Sequence, residues 1–215
     1  MDPYYTMGNA LPDLWKGFSR IFNMHIRDAE PWTGESEFHS LEAGIFRHMR
    51  ADAYFHNAEF FMKEQSYFRM ALSENLPKDL GLKFSFLGHV LFEMMLDRQI
   101  IQHEPEFLER YYNSLSKISE EKVLEYTQLR GFEGESEAFF RYFRGFKESQ
   151  FLYRYESAEG LATGLRRICK MATGVEIPSE LNSKLAELIE QLDKHLEPTW
   201  KEYLMEVRQN IEDAG

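Results

Sequence analysis

Apolar residues along the chain recur at steps of three and four, and no stretch sustains the two-residue alternation of a strand. Leu11, Leu14, Trp15, Phe18, Ile21 and Phe22 trace one face of a helix over 11–26, with Pro12 and Asp13 as its first-turn pair. A loop follows through Pro31, Trp32, Thr33 and Gly34, and Ser40 is placed to cap a second helix reaching about Met62. The pattern is mixed over 63–79, until Pro77 and Asp79 open another helix. From Leu80 to about His103 the chain is apolar on nearly every side, which predicts a central helix. Pro105 begins a helix to about Lys117, Ser119-Glu120-Glu121-Lys122 opens a short one, and Gly131 and Gly134 mark a break. Helices are expected over 135–153 and 158–171, the second closed by Thr173-Gly174. The last starts at Ile177-Pro178-Ser179-Glu180 and runs to about Ile211, bending at Pro198. The pattern predicts an all-α fold, a single domain of seven to nine helices over residues 1–215.

Composition agrees with a packed core. Of 215 residues, 43% are hydrophobic and 15% aromatic, enough to bury a sizeable interior. Against 36 Asp and Glu stand 25 Lys and Arg, and the net charge of −11 disfavours nucleic acid or an anionic membrane as the main partner. No window reaches the roughly 18 apolar residues of a membrane span, and the opening residues lack the basic-then-apolar pattern of a signal peptide. One cysteine, Cys169, excludes an internal disulfide and fits a reducing compartment. A cytoplasmic protein is expected. Cys169 has no adjacent His and no Gly-rich phosphate loop occurs, so a cysteine nucleophile and a P-loop are both disfavoured.

Two segments carry candidate chemistry. In Gly44–His56, His48, Asp52 and His56 stand at steps of four; in Phe86–Asp97, His89, Glu93 and Asp97 do the same. Steps of four keep side chains on one helix face, and imidazole with carboxylate is a donor set for divalent metals. Residues eight apart rise about 12 Å, so one ion cannot take a whole stripe. The expected ligands are Asp52 with His48 or His56, and His89 with Glu93, holding Mn²⁺, Fe²⁺ or Zn²⁺. Glu93, set among Phe92, Met94 and Met95, is expected to be buried and therefore paired or ligated. The competing explanation is a buried hydrogen-bond network with no metal.

The order of motifs resembles a known family. Gly8-Asn9-Ala10-Leu11-Pro12-Asp13-Leu14-Trp15-Lys16-Gly17, then Gly44-Ile45 with His48 and Asp52, then Phe151–Leu161 followed by Leu165-Arg166-Arg167, is similar to the acyl carrier protein phosphodiesterase family. The similarity spans residues 8 to about 172. It implies an HD-phosphohydrolase-like all-α fold and Mn²⁺-dependent release of 4′-phosphopantetheine from acyl carrier protein, or hydrolysis of a related small phosphodiester. Asp13, His48 and Asp52 match the family's acidic and histidine positions. The chain departs at Met49 and Met94, where the family has Arg and His, and at His56, His89 and Glu93, where it has Asp. Asp13 is therefore counted with the metal ligands. In such a reaction Asp13 or Asp52 would accept the proton of a metal-bound water, and Arg47 or Arg50 would neutralise phosphate charge. An acidic carrier protein needs a basic face, for which Arg141, Arg144, Lys147, Arg154, Arg166, Arg167 and Lys170 are the candidates. The alternative function is a metal-binding or degenerate, non-catalytic helical protein of the same fold. A di-metal carboxylate bundle fits less well, because its Glu-x-x-His spacing is absent from both stripes.

Overall fold

The computed structural model describes residues 2–22, 36–130 and 136–213. The expected loop at Pro31–Gly34 and the break at Gly131 and Gly134 lie outside the described residues. Among those residues there are ten α-helices and no strand: α1 (Pro3–Phe22), α2 (His39–Phe55), α3 (Glu59–Asn75), α4 (Phe84–His103), α5 (Glu106–Ser116), α6 (Glu120–Leu129), α7 (Ser136–Ser149), α8 (Ala158–Thr173), α9 (Asn182–Leu196) and α10 (Trp200–Asp213). The all-α expectation holds. The helix number exceeds it because 63–79, read as mixed, contributes to a helix, and because the last expected helix is two. No described helix is long and apolar enough to cross a membrane. The chain divides into two compact units, Met1–Ala53 with Leu108–Gln150, and Tyr54–Phe107 with Phe151–Gly215.

In the first unit, α1 starts nine residues before Pro12 because Asp2 and Pro3 supply a stronger start signal. The Tyr5 amide donates to Asp2 Oδ1 at 3.0 Å, and Pro3 occupies the first helical position, where its missing N–H is harmless. That amide holds the Asp2 carboxyl below the usual carboxylate range. Pro12 then falls inside the helix, with no N–H to offer the Gly8 carbonyl one turn back. α1 and α2 cross through two glycines. A Cβ on Gly44 would meet the Tyr5 carbonyl and sit 2.9 Å from Gly8 Cα, while one on Gly8 would meet the Leu41 carbonyl. Beneath the crossing lie Met7, Leu11, Phe18, Phe38 and Leu41, all buried. Phe18 meets the edge of Phe139 on α7 at 5.5 Å, and Arg144 of α7 donates through Nη2 to Glu120 of α6 at 2.8 Å.

In the second unit, α3 and α4 form the main seam, with Phe61, Phe68 and Leu72 against Leu87, Leu91 and Phe92, all buried. Arg98 of α4 is buried but fully engaged. Its Nε donates to Asp193 Oδ2 at 2.7 Å and its Nη1 to the carbonyls of Tyr155 and Glu156 at 2.7 and 2.6 Å. It thereby ties α4 to α9 and to the short 3-10 turn Phe151–Glu156. Cys169 is a buried core residue of α8. Two breaks depart from the expected helices. After α2, the amides of Asn57 and Ala58 turn back to the carbonyls of Tyr54 and Phe55 at 3.0 and 3.2 Å. Between α9 and α10, Pro198 has no N–H for the next helical bond, so its expected bend is a full break.

The close glycine crossing gives opposite expectations for two alanine substitutions. Gly44→Ala should lower unfolding free energy by about 1–3 kcal/mol through overpacking. Gly145→Ala, exposed on α7 with nothing within 4 Å of the new Cβ, should raise it by about 0.5–1 kcal/mol. Urea denaturation of both variants measures this, and equal signs would refute the packing account.

Candidate metal centre

One turn of α4 separates His89 from Glu93, which brings His89 Nε2 to 3.3 Å from Glu93 Oε1. His56 reaches the same oxygen from the turn after α2, its Nε2 at 3.5 Å. The two imidazoles stack with centroids 4.8 Å apart and planes 15° from parallel. Phe61 presses edge-on against both rings, at 4.7 Å from His56 and 5.0 Å from His89, and fixes them from beneath. Behind His89, its Nδ1 lies 2.9 Å from Gln65 Oε1 on α3. The three ligand-type atoms all fall within 4.8 Å of one another.

The sequence expected Glu93 to be buried, but its side chain is 39% exposed. The reason is angular. Leu87, Leu91, Phe92, Met94 and Met95 of α4 are buried, whereas His89, Glu93 and Asp97 occupy its more open stripe. The helix is apolar on most sides, and the polar stripe takes the remaining one.

Such spacing fits a cation. Ligand atoms about 2.1 Å from an ion at the tetrahedral angle stand about 3.4 Å apart, and the two nitrogen-to-oxygen separations, 3.3 and 3.5 Å, bracket that value. Two imidazoles and one carboxylate suit Zn²⁺, Fe²⁺ or Mn²⁺. Their partial exposure leaves room for a water or substrate oxygen as a further ligand.

The other predicted residues distribute differently. His56 does not continue the helical register of His48 and Asp52, because α2 ends at Phe55. Asp97 is exposed, and the three-residue group among the described residues is His56, His89 and Glu93 without it. Asp13, His48 and Asp52 belong to the first unit. There His48 Nε2 and Asp13 Oδ1 are 3.9 Å apart, beyond hydrogen-bond length. Asp52 is exposed, Arg47 half-buried, and Arg50 lies 5.3 Å over the Phe46 ring. Several candidates for a basic face are already engaged: Arg144 and Lys147 with Glu120, Lys170 with Glu176, and Arg166 with the Ile177 carbonyl.

Sequence reasoning passed over His195, and with it a second polar cluster. Glu64 of α3 is 2% exposed and accepts from His195 Nε2 at 2.7 Å and from the Tyr203 hydroxyl at 3.0 Å. Burial, opposed by Thr199 and reinforced by Glu64, pushes the Tyr203 phenol above its ordinary value. Tyr67 stacks on the His195 ring at 4.1 Å. A signal was available: Glu64 shares helical spacing with Phe60, Phe61, Phe68 and Leu72, and an acid on an apolar face needs donors.

No protein-family model, no curated protein and no solved structure matches the chain. Function therefore has to be read from the side chains.

The Glu64 cluster yields a stability test. Tyr203→Phe should cost about 1–3 kcal/mol by leaving a buried carboxylate oxygen short of a donor. In a Glu64→Leu background that loss should shrink, since no buried acceptor remains. Urea unfolding of the double-mutant cycle decides, and an undiminished loss would show the two side chains to be uncoupled.

Proposed function

We propose that this protein is a divalent-cation-dependent phosphodiester hydrolase whose ion is held by His56, His89 and Glu93. One observation carries the reading: a single carboxylate oxygen of Glu93 faces two imidazole nitrogens at 3.3 and 3.5 Å on a half-open surface. Carboxylate oxygens accept hydrogen bonds and cannot donate when ionised, and an imidazole lone pair directed at one is repelled. A shared cation would satisfy all three groups at once. When bound, such an ion polarises a phosphoryl oxygen and lowers the pKa of its water. His56, His89 and Glu93 hold and orient it, and Phe61 closes one side of the imidazole pair.

The substrate class comes from the resemblance to acyl carrier protein phosphodiesterases, as do the HD-phosphohydrolase-like form of the fold, the preference for Mn²⁺ and the cytoplasmic location. It makes the substrate holo acyl carrier protein or a related small phosphodiester. The roles that the resemblance gives Asp13, Asp52, Arg47 and Arg50 fall on residues of the first unit, and no step at the ion is assigned to them. Met49 and Met94, standing where the family has Arg and His, favour a second reading in which the metal is bound without turnover.

The test uses untagged, demetallated protein titrated with Mn²⁺ and Zn²⁺ by calorimetry. One ion per chain is expected. Glu93→Gln and His89→Ala should each weaken binding by more than the roughly 10–100-fold loss typical of an outer partner. The loaded protein should hydrolyse bis-p-nitrophenyl phosphate or holo acyl carrier protein. Stoichiometric binding without turnover supports the second reading, and absence of binding removes both.

A further inference from the structure

Nothing in the sequence marks Gln65 as functional, yet it makes a close polar contact with the candidate centre. Its Oε1 lies 2.9 Å from His89 Nδ1, shorter than either imidazole-to-Glu93 distance. An amide oxygen only accepts, so this bond requires the hydrogen of a neutral ring to sit on Nδ1. Nε2 is then the nitrogen with the lone pair, and Nε2 is the atom aimed at Glu93. An imidazole that binds a metal is commonly oriented in this way, by an acceptor at its far nitrogen.

The contact is built by the backbone. A Cβ on Gly88 would lie 2.7 Å from the Arg69 amide nitrogen and 2.9 Å from both Arg69 Cα and the Gln65 carbonyl oxygen. Real Cβ atoms do not approach so closely, so only glycine at position 88 lets α4 rest against α3 at Gln65. His89 is the next residue, and the close approach sets its ring within reach of the Gln65 amide. Phe61, one turn before Gln65 on α3, supports the same ring by its edge. One face of α3 thus supplies both an apolar stop and a polar clamp.

We infer that Gln65 is a positioning residue, which holds His89 as the Nδ1–H tautomer so that Nε2 presents its lone pair toward Glu93 and a shared cation. This rests on the metal-hydrolase reading for its purpose, though not for its geometry. A merely structural Gln65 would leave both the tautomer and the selectivity between substitutes unmoved.

The experiment compares the parent with Gln65→Leu, which removes the acceptor, and Gln65→Glu, which keeps one. Two readouts are taken: ¹⁵N chemical shifts of the His89 ring in the metal-free proteins, and Zn²⁺ affinity by competition with a chelating dye. The parent should show the Nδ1–H form. Gln65→Leu should shift His89 toward the Nε2–H form and weaken Zn²⁺ about 10–100-fold, whereas Gln65→Glu should retain the parent tautomer and lie within about tenfold of parent affinity. An unchanged tautomer and affinity in Gln65→Leu would overturn the inference, as would a Gln65→Glu variant no better than Gln65→Leu. A parent that binds no Zn²⁺ overturns the cation reading, and the metal-free spectra still decide the role of Gln65.

Discussion

The second unit depends on how closely α3 and α4 approach, and Gly88 sets that distance. Around the glycine, Phe61, Phe68, Leu72, Leu87, Leu91 and Phe92 are buried, each contributing roughly 1.5–3 kcal/mol by removal from water. That apolar seam holds the polar groups in place. Gln65, His89 and Glu93 could not be held at fixed separations by surface contacts worth a fraction of a kcal/mol each. Precision at a half-open site comes from the packing behind it. His56 is fixed by the same apolar material, its ring against Phe55 and Phe61 although its backbone lies in a turn.

Two carboxylates on neighbouring helices show how burial and donor supply separate structure from chemistry. Glu64 is 2% exposed and each of its oxygens has a donor, His195 on one and Tyr203 on the other. A buried acid supplied in this way is a stability element, since removing either donor leaves an uncompensated charge. Glu93 is 39% exposed, with His56 Nε2 and His89 Nε2 at 3.5 and 3.3 Å from one of its oxygens. Water could solvate it cheaply, so the imidazoles are not needed to make its position tolerable.

Periodicity made much of this legible. The spans of α5, α6 and α8 follow from Pro105, Ser119 and Gly174, residues whose backbone chemistry punctuates helices regardless of tertiary context. His89 and Glu93 were legible as a pair because they lie within one unbroken helix. What failed was continuity. Tyr54 to Met62 contains no Pro or Gly, so the turn at His56–Asn57–Ala58 left no mark in the sequence. The same gap hid α3, and with it Gln65 and Glu64, whose meaning depends on partners 24 and 131 residues away. Start signals also competed: Asp2-Pro3 and Pro12-Asp13 are both reasonable helix openings, and the first prevailed because Asp2 captures the Tyr5 amide.

The glycines that carry much of the family resemblance have a physical role of their own. Gly8 and Gly44 stand in the two motifs nearest the start of the chain, and they touch where α1 crosses α2, each leaving no space for a Cβ. Any sequence that crosses two helices so closely would need small residues at both points, whatever its chemistry. Likeness at these positions therefore speaks to how the helices pack. Evidence about substrate has to come from positions that packing leaves free to vary. The partly exposed stripe of α4 is such a place, and it carries His89 and Glu93. Imidazole beside carboxylate is a mixed nitrogen and oxygen donor set, which as a class favours softer ions than an all-carboxylate set does.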